Sequence, residues 1–270
     1  MASSATEYLD ALWRDYTAIT PQAARIHALF AARGETIVND HVALRTYGRA
    51  GIGLDAMARP FLARGWEPRD DYRFDDKHLR ARYFQHADRS LPKVFISELC
   101  VDEMSAATAA VVDALVASLP GGPVAFGERD DLPYAGRPWR ITHATYTQLL
   151  AESEYAAWVA AYGFRVNHFT VDVGRLTTLG GLEAVNELVA GAGFELNRSG
   201  GVIKGTPAER LEQSSTMAGE FDIAFDDGVF RVPSCYYEFA RRYPLPTGEL
   251  FQGFVPTSAN KLFESTDVRR

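Results

Sequence analysis

The sequence predicts an α+β fold built from two βαβββ-type modules, with extra helices before the first module and between the two. Three observations predict it. Some segments repeat apolar residues at helical spacing, while others alternate as strands do. The two kinds of segment follow one another as strand, helix, then about three strands, and they do so twice. Short anchors in the first half recur in the second at an offset of 127 or 128 residues.

In chain order, residues 8–33 read as helical. Leu9, Leu12, Trp13 and Tyr16 form one stripe, and Pro21 starts a second segment with Ala24, Ile26, Leu29 and Phe30. Residues 38–47 switch to a strand period, with Val42 and Leu44 alternating with His41, Ala43 and Arg45. Residues 51–64 are helical again and stop at Gly65. Three strands follow at 66–72, 80–86 and 93–101, then an Ala/Val-rich helix at 104–119. Residues 121–140 are rich in Gly and Pro and are expected to be a loop, and 147–162 one amphipathic helix. The pattern then returns with a strand at 165–173, a helix at 181–192, and extended segments at 194–198, 213–218, 221–225 and 229–239.

The repeat rests on three anchors. Asp40-His41-Val42 matches Asn167-His168-Phe169, Gly53-Leu54-Asp55-Ala56 matches Gly181-Leu182-Glu183-Ala184, and Gly65-Trp66-Glu67 matches Gly193-Phe194-Glu195. With 270 residues, of which 47% are apolar and 23% charged, the chain can bury a sizeable core. We therefore expect residues 1–270 to form a single domain of two pseudo-repeated modules, at about 35–120 and 163–245. An N-terminal helical segment and a linking helix complete it. Composition also excludes some partners. The net charge is −7 and there is no basic run, which argues against nucleic acid. No window is apolar enough to span a membrane, and residues 1–10 lack the features of a secretory leader. Cys100 and Cys235 fit neither a disulfide framework nor a zinc pattern, so buried thiols in a reducing cytoplasm are expected.

The repeat also singles out chemistry. His41 and His168 hold the same place in the first strand of each half. If the halves pack about an approximate two-fold axis, both imidazoles can face one cleft. Glu238, among Tyr236, Tyr237 and Phe239, is a carboxylate that is costly to bury unless it meets a cation or a metal. Two histidines and one carboxylate make a facial triad suited to Fe(II), with open positions left over. Arg45, four residues beyond His41 and on the same strand face, lies roughly 13 Å further along. It suits the far carboxylate of a small dianion.

The motifs containing these residues resemble those of the 2-oxoadipate dioxygenase/decarboxylase family, also called 2-hydroxyglutarate synthases. They are His41-Val42-Ala43-Leu44-Arg45-Thr46, Asn167-His168-Phe169-Thr170, Gln213-Ser214-Ser215-Thr216, Tyr236-Tyr237-Glu238-Phe239-Ala240 and residues 258–266. The likeness runs from about residue 10 to residue 267, and the chain is shorter than the long bacterial members. The resemblance implies a vicinal-oxygen-chelate-like sheet around a central metal cleft, with Fe(II) on His41, His168 and Glu238. It implies Arg45 as the residue that recognises the substrate carboxylate. It also implies dioxygen and a dicarboxylic 2-oxo acid as partners, most directly 2-oxoadipate converted to 2-hydroxyglutarate and carbon dioxide. Gln213, Ser214 and Ser215 are candidates for hydrogen bonds to the metal ligands or the substrate, or else a polar strand edge.

Two other readings stay open at this point: a paired-module small-molecule binding protein without turnover, and an extradiol- or isomerase-type metalloenzyme of the same fold. A further motif, Gly51-Ile52-Gly53-Leu54-Asp55-Ala56 with Asp75 about 20 residues on, fits the dinucleotide pattern. The alternating strands after it argue against a buried parallel sheet. His27, His86 and His143 are expected to be structural.

Overall fold

A computed structural model describes residues 3–266. Met1, Ala2 and residues 267–270 lie outside the described residues, and with them the last residue of the family likeness. The chain runs α1 (Ala5–Ile19), α2 (Pro21–Ala31), β1 (Asn39–Tyr47), α3 (Leu54–Leu62), β2 (Trp66–Phe74), β3 (Leu79–His86), β4 (Lys93–Leu99), α4 (Ala106–Ala117) and α5 (Gly122–Gly127). It continues with α6 (His143–Glu152), α7 (Glu154–Tyr162), β5 (Val166–Asp172), α8 (Leu182–Gly191), β6 (Lys204–Thr206), β7 (Leu211–Ser215), β8 (Glu220–Phe225), β9 (Gly228–Pro233), β10 (Glu238–Arg242) and α9 (Pro256–Phe263).

Local signals explain most boundaries. A capping box starts α1: Ser4 Oγ accepts from the Glu7 amide at 3.2 Å, and Glu7 Oε2 accepts from the Ser4 amide at 2.8 Å. The buried stripe of α1 is Tyr8, Leu12, Tyr16 and Ile19, one step round from the expected one, with Leu9 and Trp13 only partly buried. Pro21 opens α2, where a missing N–H costs nothing. The helix expected over 147–162 is two helices. Ser153 breaks the run with an extended backbone, and its Oγ caps α7 by accepting from the Ala156 amide at 3.1 Å.

Three other expectations need correction. Residues 121–140 are not all loop, because they hold α5 and a short 3₁₀ turn at Leu132–Tyr134. Residues 194–198 form no strand; Leu196 makes one isolated bridge to Thr216, and Lys204–Thr206 is the pairing segment instead. The extended run 229–239 divides into β9, which pairs with β8 in a separate hairpin, and β10, which enters the main sheet at Glu238.

The main sheet has eight strands among the described residues, in the order β2-β3-β4-β1-β5-β10-β7-β6. Read outward from its centre, each half gives the same arrangement. β1 pairs parallel with β4, and β4 antiparallel with β3 and then β2. β5 pairs parallel with β10, and β10 antiparallel with β7 and then β6. The halves join where β1 meets β5 antiparallel, with His41 opposite Thr170 and Ala43 opposite His168. Both members of the first pair map onto the second by 127 residues, so a pseudo-two-fold axis passes between the two central strands. The fold is thus the paired βαβββ, vicinal-oxygen-chelate-like architecture, with a curled sheet. α1 lies against β5, α3 against β4 and α8 against β7 and β10, while α9 touches β2, β6 and β7. No helix among the described residues is long and apolar enough to cross a membrane.

Gly163, which links α7 to β5, has φ +72° and ψ −141°, a conformation reserved for glycine. A Cβ there would sit 2.2 Å from the Gly136 carbonyl oxygen, in the bridge that joins Gly136 to Phe164. Gly163→Ala is expected to destabilise the fold by about 2–4 kcal/mol. Denaturant melts of the two proteins check this, with an unchanged midpoint as the contrary result.

Candidate metal centre

A bulge in each central strand sets the site. The β1–β5 register slips between Asn39 and His41, leaving Asp40 unpaired, and again at Asn167 between Val166 and His168. Bulges re-aim side chains. Here each places a polar residue next to the histidine that follows it. Asp40 Oδ1 lies 2.7 Å from His41 Nδ1, and Asn167 Oδ1 lies 3.1 Å from His168 Nδ1. An acceptor at Nδ1 fixes the proton there and turns Nε2 into a lone-pair donor.

The two Nε2 atoms converge on Glu238. His41 Nε2 is 3.4 Å from Oε1, and His168 Nε2 is 3.3 Å from Oε2. One ligand atom from each of the three residues lies within 4.8 Å of the others, and all three residues are buried. Neighbouring donors on a metal with bonds of about 2.1 Å stand about 3 Å apart, close to the two histidine–glutamate separations. The chemistry of the donors fits as well. Burial raises the Glu238 carboxyl above its usual range, against the pull of His41. Burial likewise lowers His168 well below the ordinary histidine range, with His41 and Arg45 adding to it, so His168 is neutral and ready to ligate. A divalent cation relieves what these groups lack. The described residues can therefore hold a metal ion.

Further groups complete the setting. Gln213 Nε2 donates to Glu238 Oε1 at 2.7 Å, and Thr170 Oγ1 lies 3.0 Å from His41 Nε2. Asp40 is clamped by Arg242, which donates from Nε at 2.6 Å and from NH2 at 2.9 Å, with Lys93 Nζ 3.8 Å away. Burial raises the Asp40 carboxyl, but Arg242 and Lys93 outweigh it and hold the group well below the usual carboxylate range. Arg242 also donates to the carbonyls of Phe251 and Gly253, fixing the loop whose Phe254 ring stands edge-on to His41 at 4.9 Å.

The cavity beside the triad is lined by residues of both halves, including Phe95, Asn167, Gln213 and Tyr236, and is roofed by Phe254, Ala259, Leu262 and Phe263. Arg45 lines it too, but it is only 1% exposed and already has a carboxylate. Its NH1 donates to Glu154 at 2.8 Å and its NH2 to Thr266 at 3.1 Å, and Thr266 in turn donates to Glu154. The rings of Tyr155, Trp158 and Phe263 surround the guanidinium. Its Nε has no partner. Among the other candidates, Ser215 shares a 2.9 Å bond with Ser265, whereas Ser214 turns to the opposite face and donates to Asn186 of α8 at 2.7 Å. His143 stacks on Phe230, His27 lies against Trp13, and His86 against Trp66.

Asp40, Asn167 and Glu154 are the residues that sequence reasoning missed. The match of Asp40-His41 with Asn167-His168 held the first two in plain view, but regular strand alternation would point their side chains to the far face. The dinucleotide-like glycines have another use. Glu98 Oε2 accepts from the Leu54 amide at 2.6 Å at the start of α3, and a Cβ on Gly53 would collide with it at 2.6 Å. The helix terminus that would face a phosphate carries this carboxylate instead.

Fold and donor set together define a paired-module protein with a buried cluster of two histidines and one glutamate that can hold a metal ion. The sequence profile of the 2-oxoadipate dioxygenase/decarboxylase family matches residues 9–118 and 137–250. A chloroplastic 2-oxoadipate dioxygenase/decarboxylase of Arabidopsis thaliana is 37% identical over 252 residues, which is 84% of this chain and 67% of that protein. The crystal structure of hydroxyglutarate synthase from Oryza sativa, in complex with 2-oxoadipate, is 31% identical with a TM-score of 0.90, covering 97% of this chain and 91% of that one. A protein of Shewanella frigidimarina with a provisional hydrolase description is 46% identical with a TM-score of 0.89, covering 95% and 99% of the two chains. The chain belongs to the 2-oxoadipate dioxygenase/decarboxylase family.

Two outcomes follow from the geometry. Asp40→Ala is expected to weaken metal binding about 10- to 100-fold, since His41 loses the group that orients it. Titration with Co(II) measures it, and wild-type affinity would remove Asp40 from this role. The raised Glu238 carboxyl keeps a proton to higher pH than an ordinary glutamate, and that proton competes with the metal. Metal affinity should therefore fall as pH is lowered, starting above the usual carboxylate range. A Glu238→Gln protein should lose this dependence along with most of its affinity.

Proposed function

We propose that this chain is an Fe(II)-dependent dioxygenase that oxidatively decarboxylates a 2-oxo acid, most directly 2-oxoadipate to 2-hydroxyglutarate and carbon dioxide. The atoms balance: one dioxygen enters, carbon dioxide takes two oxygen atoms, and the shortened acid keeps the rest. The observation that carries the reading is the buried His41, His168 and Glu238 set opening on the same cavity as Arg45, in a chain of this family. Iron held there would supply the Lewis-acid and one-electron chemistry that dioxygen requires, with coordination positions left for oxygen donors of the acid.

The protein residues do the positioning. Asp40 and Asn167 hold the two imidazoles in the ligating tautomer. Gln213 holds one oxygen of Glu238. The apolar roof of Phe254, Leu262 and Phe263 keeps bulk water from the reacting acid. Arg45 offers its free Nε edge to the distal carboxylate, and the Glu154–Thr266 pair locks the rest of the guanidinium so that this edge stays aimed. Arg45 and the metal provide local positive charge against an overall net charge of −7. On this reading the two halves work as one unit, since neither holds a complete ligand set. Cys235 is buried as expected, whereas Cys100 is only partly buried and accepts from Arg73, and both free thiols support a reducing cytoplasm as the place of work.

The decisive experiment loads the protein with Fe(II) without oxygen, adds 2-oxoadipate and then admits oxygen. We expect oxygen uptake with one carbon dioxide released per dioxygen. No uptake with 2-oxoadipate or any other 2-oxo acid would sink the reading. Removing Arg45 alone would strand the buried Glu154 charge, at a cost of about 3–5 kcal/mol. The double variant Arg45→Met/Glu154→Gln avoids this. It should retain iron and lose at least about 100-fold in kcat/KM for dicarboxylic 2-oxo acids.

A further inference from the structure

The two halves hold their histidines with different residues. In the first, Asp40 spends both oxygens: Oδ1 on His41 and Arg242, Oδ2 on Arg242. In the second, Asn167 spends only one end. Its Oδ1 faces His168 Nδ1 at 3.1 Å, while its Nδ2 has no hydrogen-bond partner, although the residue is only 1% exposed. Leaving a buried donor unpaired costs about 1–3 kcal/mol, and native proteins rarely tolerate it without a use. Asn167 lines the cavity beside the triad. The amide orientation is settled by its neighbour, because a His168 that ligates through Nε2 carries its proton on Nδ1 and needs an oxygen there. The nitrogen is then the end left free.

A carboxylate, as in the first half, would orient His168 at least as well. What an amide adds is a neutral donor where a carboxylate would repel an acid. Two other orphans lie on the same cavity wall, Arg45 Nε and Gln213 Oε1. Two unpaired donors and one acceptor around one cavity describe a ligand rich in acceptor oxygens with a single donor or none, which is the chemistry of a 2-oxo dicarboxylate.

We propose that Asn167 is a substrate-binding residue, its Nδ2 donating to an oxygen of the bound 2-oxo acid while its Oδ1 holds His168. This rests on the function proposed above, and the wild-type protein tests that reading separately. In the absence of oxygen, calorimetry measures first the affinity for Co(II) and then the affinity of the Co(II)-loaded protein for 2-oxoadipate. Asn167→Asp keeps an oxygen toward His168 and replaces the donor with a negative acceptor. It should bind Co(II) within about 3-fold of wild type and 2-oxoadipate about 10- to 100-fold more weakly. Asn167→Ala removes both functions and should weaken Co(II) binding as well. Independently of any variant, the side-chain amide resonance of Asn167 in ¹⁵N-labelled, Zn(II)-loaded protein should move downfield when 2-oxoadipate is added. Wild-type acid affinity in Asn167→Asp, or an unmoved resonance, overturns the inference. So does a loss of metal and acid affinity in equal proportion, which would mean that Asn167 acts only through His168. If wild type itself binds neither 2-oxoadipate nor any other 2-oxo acid, the proposed function fails and the inference goes with it.

Discussion

The antiparallel pairing of β1 with β5 is the constraint on which the rest depends. It sets His41 opposite Thr170 and Ala43 opposite His168, so two histidines 127 residues apart come to face each other across an axis of approximate symmetry. A register slip of one residue would send one imidazole to the opposite face of the sheet. The pairing also explains the bulges. A regular strand would point Asp40 and Asn167 away from the histidines that follow them, whereas one extra residue on each strand brings orienting group and ligand to the same side.

Burying so many charges at this seam is tolerable because nearly every one is paired. Asp40 sits between Arg242 and Lys93, Arg45 against Glu154 and Thr266, and Glu238 under Gln213. Such pairs break roughly even in stability against apolar residues of similar size. Their return is a set of fixed directions. Arg242 shows this best, since one guanidinium holds both the carboxylate behind His41 and the loop that lays Phe254 over it. Three of the unpaired buried atoms, Arg45 Nε, Asn167 Nδ2 and Gln213 Oε1, line this cavity, as expected of a site whose hydrogen-bond partners arrive with a ligand.

Much of this was legible in the sequence because symmetry doubles the signal. His41 and His168 stand out only as a pair, and periodicity located every strand of the first module. The second module was harder to read. An inserted hairpin, β8–β9, separates β7 from β10, and alternation cannot tell a strand of the main sheet from one that leaves it. Arg45 was placed on the correct face by the strand period, yet its partner Glu154 lies 109 residues away on a helix that reads as continuous with its neighbour until Ser153 breaks it. Asp40 and Asn167 were hidden for the reason that makes them useful, since a bulge violates the alternation from which side-chain direction is inferred.

The symmetry is broken where the chemistry needs it to be. Glu238 pairs with Thr170, and the position related to it in the first half, paired with Ala43, is Phe95. A second carboxylate there would complete a symmetric two-histidine, two-carboxylate set. On the proposed function it would fill a coordination position meant for the incoming acid and add negative charge to the cavity. Phe95 instead packs against Phe254 at 4.9 Å and presents an apolar wall. The exchange of Asp40 for Asn167 runs in the same direction, because it takes a negative charge away from the half that faces Arg45. A duplicated module supplies two equivalent histidines at no geometric cost. These two departures from equivalence lower the negative charge around the open face of the cluster, and that favours an anionic ligand over a second ligand from the protein.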